Sequence, residues 1–202
     1  MGGTAQYEYE TVLDQIVNKR FDVCSLIGEV NHMRNIIFLD IDGVLNSNFW
    51  NKSHQREISD GSLIDVEKIK LLAELVRSTN AEIILHSGWR FWYDSDMKPL
   101  RVEAQNLSEL LAKEGLKIAD VTPDLTTEEI RRTRKFSLIK AEEILLWVAS
   151  HENINSWVVL EDLDLHNAII EEHQVKIDQM TGLTPENVQE AERILSFFHK
   201  KN

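Results

Sequence analysis

The stretch Asn35-Ile36-Ile37-Phe38-Leu39-Asp40-Ile41-Asp42-Gly43 constrains this chain more than any other. Ile36 to Leu39 is apolar, rich in β-branched and aromatic residues, and too short for a helix, so it reads as a buried strand. Two carboxylates follow at once, Asp40 and Asp42. Side chains alternate along extended backbone, so both acids project to the same side. Gly43 then lets the chain turn sharply. Two acids held together repel each other. A solvated turn tolerates this, whereas a bound cation or a reaction makes use of it.

The rest of the chain decides between these readings. From about Tyr7 to Val30, Val12, Ile16, Phe21 and Leu26-Ile27 recur at loosely helical intervals, which predicts a helical extension over residues 1–33 before a main domain at 34–202. Apolar spacing predicts helices over Leu63–Ser78, Val102–Glu114, Ser137–Ser150 and Pro185–Lys200. Short apolar runs predict strands at Ala81–Leu85, Lys117–Val121, Trp157–Leu160 and Val175–Ile177. Strands that alternate with helices imply an α/β domain with a mostly parallel sheet. Ligands bind such sheets at the carboxyl ends of their strands. Three predicted strands end in chemically capable residues there: Asp40 with Asp42, Ser87, and Glu161 with Asp162.

Bulk properties narrow the function classes. The 202 residues suffice for one domain with a sizeable core, and 43% hydrophobic content is ordinary for a globular chain. Twenty-two basic against 34 acidic residues give a net charge of −12, which argues against broad non-specific binding to nucleic acid or anionic membranes. A local basic rim is still available from Arg131, Arg132, Arg134 and Lys135. The single cysteine, Cys24, excludes an intrachain disulfide and a multi-cysteine zinc site. No apolar run is long enough to span a membrane, and no basic-then-apolar leader precedes the domain, so a cytoplasmic location without membrane association is expected. The sequence leaves the oligomeric state open.

Five segments in order carry a resemblance: FLDIDGVLN (38–46), AEIILHSGWR (81–90), IKAEEILLWV (139–148), WVVLEDLDL (157–165) and IDQMTGLTPENVQEAERIL (177–195). Together they resemble the haloacid dehalogenase-like (HAD) superfamily, and within it the HAD-like domains of Swiss Army Knife RNA-repair proteins. The resemblance implies a Rossmann-like three-layer fold. It also implies a magnesium-dependent phosphatase in which Asp40 attacks phosphorus to form an aspartyl-phosphate and Asp42 shuttles the proton. Mg²⁺ would be held by Asp40, Asp42 through its backbone carbonyl, and Asp162, with Glu161 as the alternative acid. A hard cation with oxygen ligands is what such chemistry needs, because a carboxylate attacks a charged phosphate poorly unless charge is neutralised.

Ser87 fits the hydroxyl that bonds the phosphoryl group, with Gly88 beside it. Arg90 is either a phosphate contact or an ion-pair anchor for its loop. Lys140 is the favoured charge-balancing cation and Lys135 its competitor. Alternation places His86 on the face opposite Ser87, as a core or supporting residue. The segments after the first and third strands are too short for an independent cap domain, so the site is expected to be capless and open. The resemblance favours a nucleic-acid end as substrate, with a phosphoprotein or a small metabolite as alternatives. Trp50, Trp89, Phe91, Trp92 and Tyr93 are aromatic candidates for stacking at the mouth.

Overall fold

The computed structural model describes residues 33–48, 63–133 and 136–197. The expected N-terminal extension, Trp50, Arg134 and Lys135 lie outside the described residues.

The first strand is β1, Arg34–Leu39, and its last four residues are buried, as the apolar run predicts. Helix α1 (Val66–Thr79) follows. Its N-cap is Asp65, whose carboxylate accepts from the Glu67 amide at 2.9 Å and so satisfies an otherwise orphaned donor. Strand β2 (Ala81–Leu85) runs into a 3-10 turn, Gly88–Trp92, capped by Ser87. Then come α2 (Val102–Lys113), β3 (Ile118–Val121), a short α3 (Glu128–Thr133) and α4 (Phe136–Ser150). Strand β4 (Ile154–Glu161), the one-turn α5 (Ala168–Glu171), β5 (Gln174–Lys176) and α6 (Pro185–Phe197) complete the order.

The five strands form one sheet in the order β3-β2-β1-β4-β5, and each neighbouring pair is parallel. This is a Rossmann-like α/β sheet of the expected class. The chain winds outward from β1 through β2 to β3, then returns to the other side of β1 with β4 and β5. That reversal makes the crevice between the carboxyl ends of β1 and β4 a topological switch point, where such sheets bind ligands.

Each face of the sheet has its own apolar layer. Ile37, Leu39, Leu85 and Leu160 pack in a layer with Leu72 of α1, Leu107 of α2 and Leu195 of α6. Ile36, Phe38, Ile84 and Val159 face Ala141, Ile144 and Trp147 of α4. The two sets alternate along the strands because successive side chains point to opposite faces.

Some elements differ from the sequence expectation. Strand β4 begins three residues before Trp157, through Asn155 and Ser156. Polar residues there hide a strand that is held by pairing: Asn155 Nδ2 donates to Asn35 Oδ1 at 2.8 Å. The charged segment after β3 contains helix α3, none of whose residues is buried. Gly88–Trp92 is a 3-10 turn because the Ser87 side chain caps it, with the Trp89 amide donating to Ser87 Oγ at 3.4 Å. No separate cap domain is found among the described residues after β3.

Phe38 is fully buried and meets Trp147 and Trp157 edge-on, with ring centroids 5.3 and 5.9 Å apart. Its truncation removes a large side chain from the α4 layer. Phe38→Ala is therefore expected to cost about 3–5 kcal/mol of stability. Urea unfolding should show a lower midpoint with an unchanged slope, and a loss below about 1 kcal/mol would contradict this packing.

Candidate active site

The register of the sheet builds the centre of the site. Leu39 pairs with Leu85 on one side and Leu160 on the other. The next residues along are therefore Asp40, His86 and Glu161, in one row. The Asp40 amide donates to the Leu160 carbonyl at 3.0 Å, and the His86 amide donates to the Leu39 carbonyl at 3.1 Å. These bonds carry the sheet's alignment one residue past its strands. Residues in one row share a face, and this is the face covered by α4, which places Lys140 over the acids.

The Lys140 ammonium lies 2.7 Å from Glu161 Oε2 and 3.4 Å from Asp40 Oδ1. Burial works against its charge, but Asp40 and Glu161 outweigh that effect and hold its pKa above the ordinary lysine value. Glu161 is fully buried, and its other oxygen accepts from the Leu163 amide at 3.2 Å. Burial raises the Glu161 pKa well above the usual range, with the Asp40 charge adding to it and Lys140 opposing. Burial likewise raises Asp40, while Lys140 and a hydrogen bond from the Ser87 side chain pull it down and the charges of Asp42 and Asp162 push it up.

His86 completes the row beneath the acids. It is fully buried, and its Nε2 lies 3.6 Å from Glu161 Oε2, too long for a hydrogen bond. Burial, then the nearby Lys140 charge, lowers its pKa well below the ordinary histidine value, so the ring is neutral. It supports the floor of the site and does not reach the cavity lining.

Asp40, Glu161 and Asp162 each offer a carboxylate oxygen within 4.8 Å of the others. This all-oxygen, anionic set suits a hard divalent cation. The raised pKa values of Asp40 and Glu161 point the same way, since a cation would offset the burial and repulsion that disfavour their charges. Glu161 already has both oxygens engaged, one by Lys140 and the other by the Leu163 amide. Asp162 is less buried and lines the cavity directly.

Asp42 lies apart from that trio. Its Oδ1 accepts from Asn46 Nδ2 at 2.7 Å and its Oδ2 from Trp89 Nε1 at 3.1 Å. Asn46 Oδ1 in turn accepts from the Gly43 amide at 3.0 Å. The acid is thus pinned from both sides while remaining exposed to the cavity. Gly43 permits this turn for two reasons. Its φ is +81°, and a Cβ there would sit 2.7 Å from the Asp162 carboxylate.

Arg90 is buried and its Nη2 grips Glu143 of α4 in a bidentate pair at 2.8 and 2.9 Å. Its Nη1 donates to the carbonyls of His86 and Ser87 at 3.1 and 3.3 Å. Of the two roles set out for Arg90, the ion-pair anchor is the one these bonds describe. Glu143 also accepts from the Leu125 amide at 3.0 Å, so one carboxylate joins the Ser87 turn, the loop after β3 and the helix that carries Lys140.

A cavity of about 780 Å³ joins these groups. Asp40, Asp42, Ser87, Gly88, Arg90, Lys140 and Asp162 all line it, so residues distant in sequence come together. Glu161 sits behind this wall. Trp89, a stacking candidate in the sequence, is buried and holds Asp42 instead, and the support from Asn46 and Glu143 is not anticipated. Their signals are visible only in retrospect: Asn46 lies four residues after Asp42, and Glu143 lies one helical turn after Lys140. Asp164 sits in an exposed turn, accepting from the His166 amide at 2.9 Å, while Asn167 caps α5.

The burial of Asp40 has a measurable consequence. Its pKa is higher folded than unfolded, so its contribution to stability is full below the unfolded value and is lost as pH rises through the folded value. Asp40→Asn stays uncharged throughout. In chelator, the variant is expected to gain stability over the wild type as pH rises from about 4 to about 8. Urea unfolding across that range checks this, and a pH-independent or reversed difference would refute it.

The family comparison agrees with this geometry. The model of the HAD domain in Swiss Army Knife RNA repair proteins matches residues 36–188. No curated protein and no solved structure matches the chain significantly. No helix among the described residues is long and apolar enough to cross a membrane. With the match covering most of the chain, from β1 into α6, and the acids, hydroxyl and lysine gathered at the switch point, the chain belongs to the family of HAD domains found in Swiss Army Knife RNA repair proteins.

Proposed function

We propose that the protein is a Mg²⁺-dependent phosphatase that hydrolyses a terminal phosphomonoester on a nucleic-acid end, through an aspartyl-phosphate on Asp40. The observation that carries this reading is the pairing of a buried carboxylate with a buried ammonium, Asp40 with Lys140 at 3.4 Å, on the wall of an open cavity. A structural ion pair has no need of Ser87, Asp42 and Asp162 around the same space.

Asp40, Asp162 and the Asp42 backbone carbonyl would hold Mg²⁺. When bound, the ion neutralises charge on the acids and on the phosphoryl oxygens, which otherwise repel each other. Asp40 attacks phosphorus, and the bond to the leaving oxygen breaks. Asp42 gives that oxygen a proton as it departs. A water then attacks the phosphorus of the aspartyl-phosphate, Asp42 takes its proton, and phosphate leaves with Asp40 regenerated. Ser87 hydrogen-bonds the transferring group, helped by the Gly88 backbone. Lys140 offsets its charge and is held in place by Glu161, which acts more as an anchor than as a metal ligand. Asn46 and Trp89 keep Asp42 in one orientation through both proton transfers.

The nucleic-acid end is favoured by the family's RNA-repair setting and by an open site rimmed by Arg131. A free nucleotide is the second reading, since a 780 Å³ cavity holds one without a longer chain. The fold's role as a separate 34–202 domain in a cytoplasmic protein is part of the same proposal.

Phosphate release tests it. The wild type with Mg²⁺ should hydrolyse 5′- or 3′-phosphorylated oligonucleotides in preference to phosphopeptides, and chelator should abolish turnover. Asp40→Asn should remove activity, and Asp42→Asn should lower the rate by about 10²–10⁴-fold. Activity that survives Asp40→Asn would end this reading. Mg²⁺ should also raise the wild-type melting temperature, and Asp162→Asn should diminish that rise. An equal rise in both would remove Asp162 from the metal site.

A further inference from the structure

The cavity extends well beyond the space around Asp40, Ser87 and Lys140. Its volume of about 780 Å³ far exceeds that of a phosphoryl group and lies in the range of sites that enclose a nucleotide-sized ligand. Phe91 and Phe136 line it as well, at 53% and 40% exposure. Phe38, Trp89, Tyr93, Trp147 and Trp157 are buried and Trp92 is half-buried, whereas these two rings are exposed.

Both rings are tied to the chemistry. Phe91 lies four residues beyond Ser87, on the same 3-10 turn that Ser87 caps. Phe136 lies four residues before Lys140 on α4, about 6 Å along the same helix face. Phe91 is also held in place. The Arg90 guanidinium carbon lies 4.5 Å from its ring centroid, and Arg90 is locked by Glu143. The ring is thus supported by a buried cation while it stays 53% exposed and lines the cavity. Arg131, 58% exposed, lies on the same wall and pairs there with Asp124 at 3.8 Å.

We propose that Phe91 and Phe136 form a stacking site for the base of the nucleotide whose phosphate is presented to Asp40, so that the substrate class is a nucleic-acid end and not a phosphorylated protein side chain. This rests on the phosphatase reading above. A stacking site accepts any base, because every base offers a π-face, and so selects nucleotides without selecting sequence. It also orients the terminal residue, with base and phosphate each held at one end of the cavity.

Binding tests the subsite without turnover. In an Asp40→Asn background with Mg²⁺ and at fixed ionic strength, a phosphorylated RNA trinucleotide is compared with the same molecule carrying an abasic phosphorylated terminus. Removing the base should weaken binding by about 5- to 100-fold. Adding Phe91→Leu and Phe136→Leu, which keep apolar bulk on two exposed positions, should weaken the intact trinucleotide to the abasic level and leave the abasic one little changed. Equal affinity for the two ligands in the Asp40→Asn protein would overturn the proposal. So would no detectable trinucleotide binding, or tighter binding of a phosphoserine peptide that ignores both phenylalanine changes. Failure of the phosphatase reading shows elsewhere, as no Mg²⁺-dependent phosphate release by the wild type from a small aliphatic phosphate ester.

Discussion

The Lys140 ammonium, wedged between Glu161 at 2.7 Å and Asp40 at 3.4 Å, is the interaction on which the site depends. Three charges share a space that is nearly closed to water. Burial raises the pKa of both acids and disfavours their charged forms, while Lys140 opposes that effect. Lysine makes their ionisation tolerable but does not cancel it, because two carboxylates face one ammonium and Asp162 adds a third acid nearby. The residual negative charge is what a divalent cation would meet.

That interaction exists because of sheet topology. The reversal of winding between β1 and β4 leaves their carboxyl ends adjacent. The parallel register then aligns Asp40 with Glu161, and the α4 layer brings Lys140 onto the same face. Phe38, Val159 and Trp147 pack immediately below. The apolar layer and the charged row thus continue one another along the same strands: alternation that points Ile36 and Phe38 at α4 also points Asp40 there.

A second buried ion pair, Arg90 with Glu143, does different work. It links the turn after β2 to α4, and so fixes Ser87 relative to Lys140. Burial raises the Glu143 pKa, while the Leu125 amide and the Arg90 guanidinium favour its charged form. Such a pair adds little net stability relative to an apolar substitute, but breaking it leaves a buried charge without a partner. The guanidinium is also placed against Phe91, so the same pair sets an aromatic ring at the wall of the cavity.

Much of this was legible in the sequence. The apolar run ending at Asp40, the short strand before Ser87 and the strand before Glu161 mark a parallel α/β sheet by local pattern alone, because burial of both sheet faces leaves continuous apolar runs. The same strand ends mark the candidate site residues, since ligands meet such sheets there. The choice between competing side chains was not legible. Glu161 and Asp162 are neighbours with similar chemistry, and only burial separates an acid that anchors Lys140 from one that lines the cavity. Arg90 reads equally well as a phosphate contact or an anchor until Glu143, 53 residues away, is seen to grip it. Asn46 and Trp89 become the two holders of Asp42 only when the turn at Gly43 closes beside the turn at Ser87. Periodicity and motif spacing are local and survive in one dimension. The partner of a charged side chain is set by long-range packing, and that was decided by the tertiary structure.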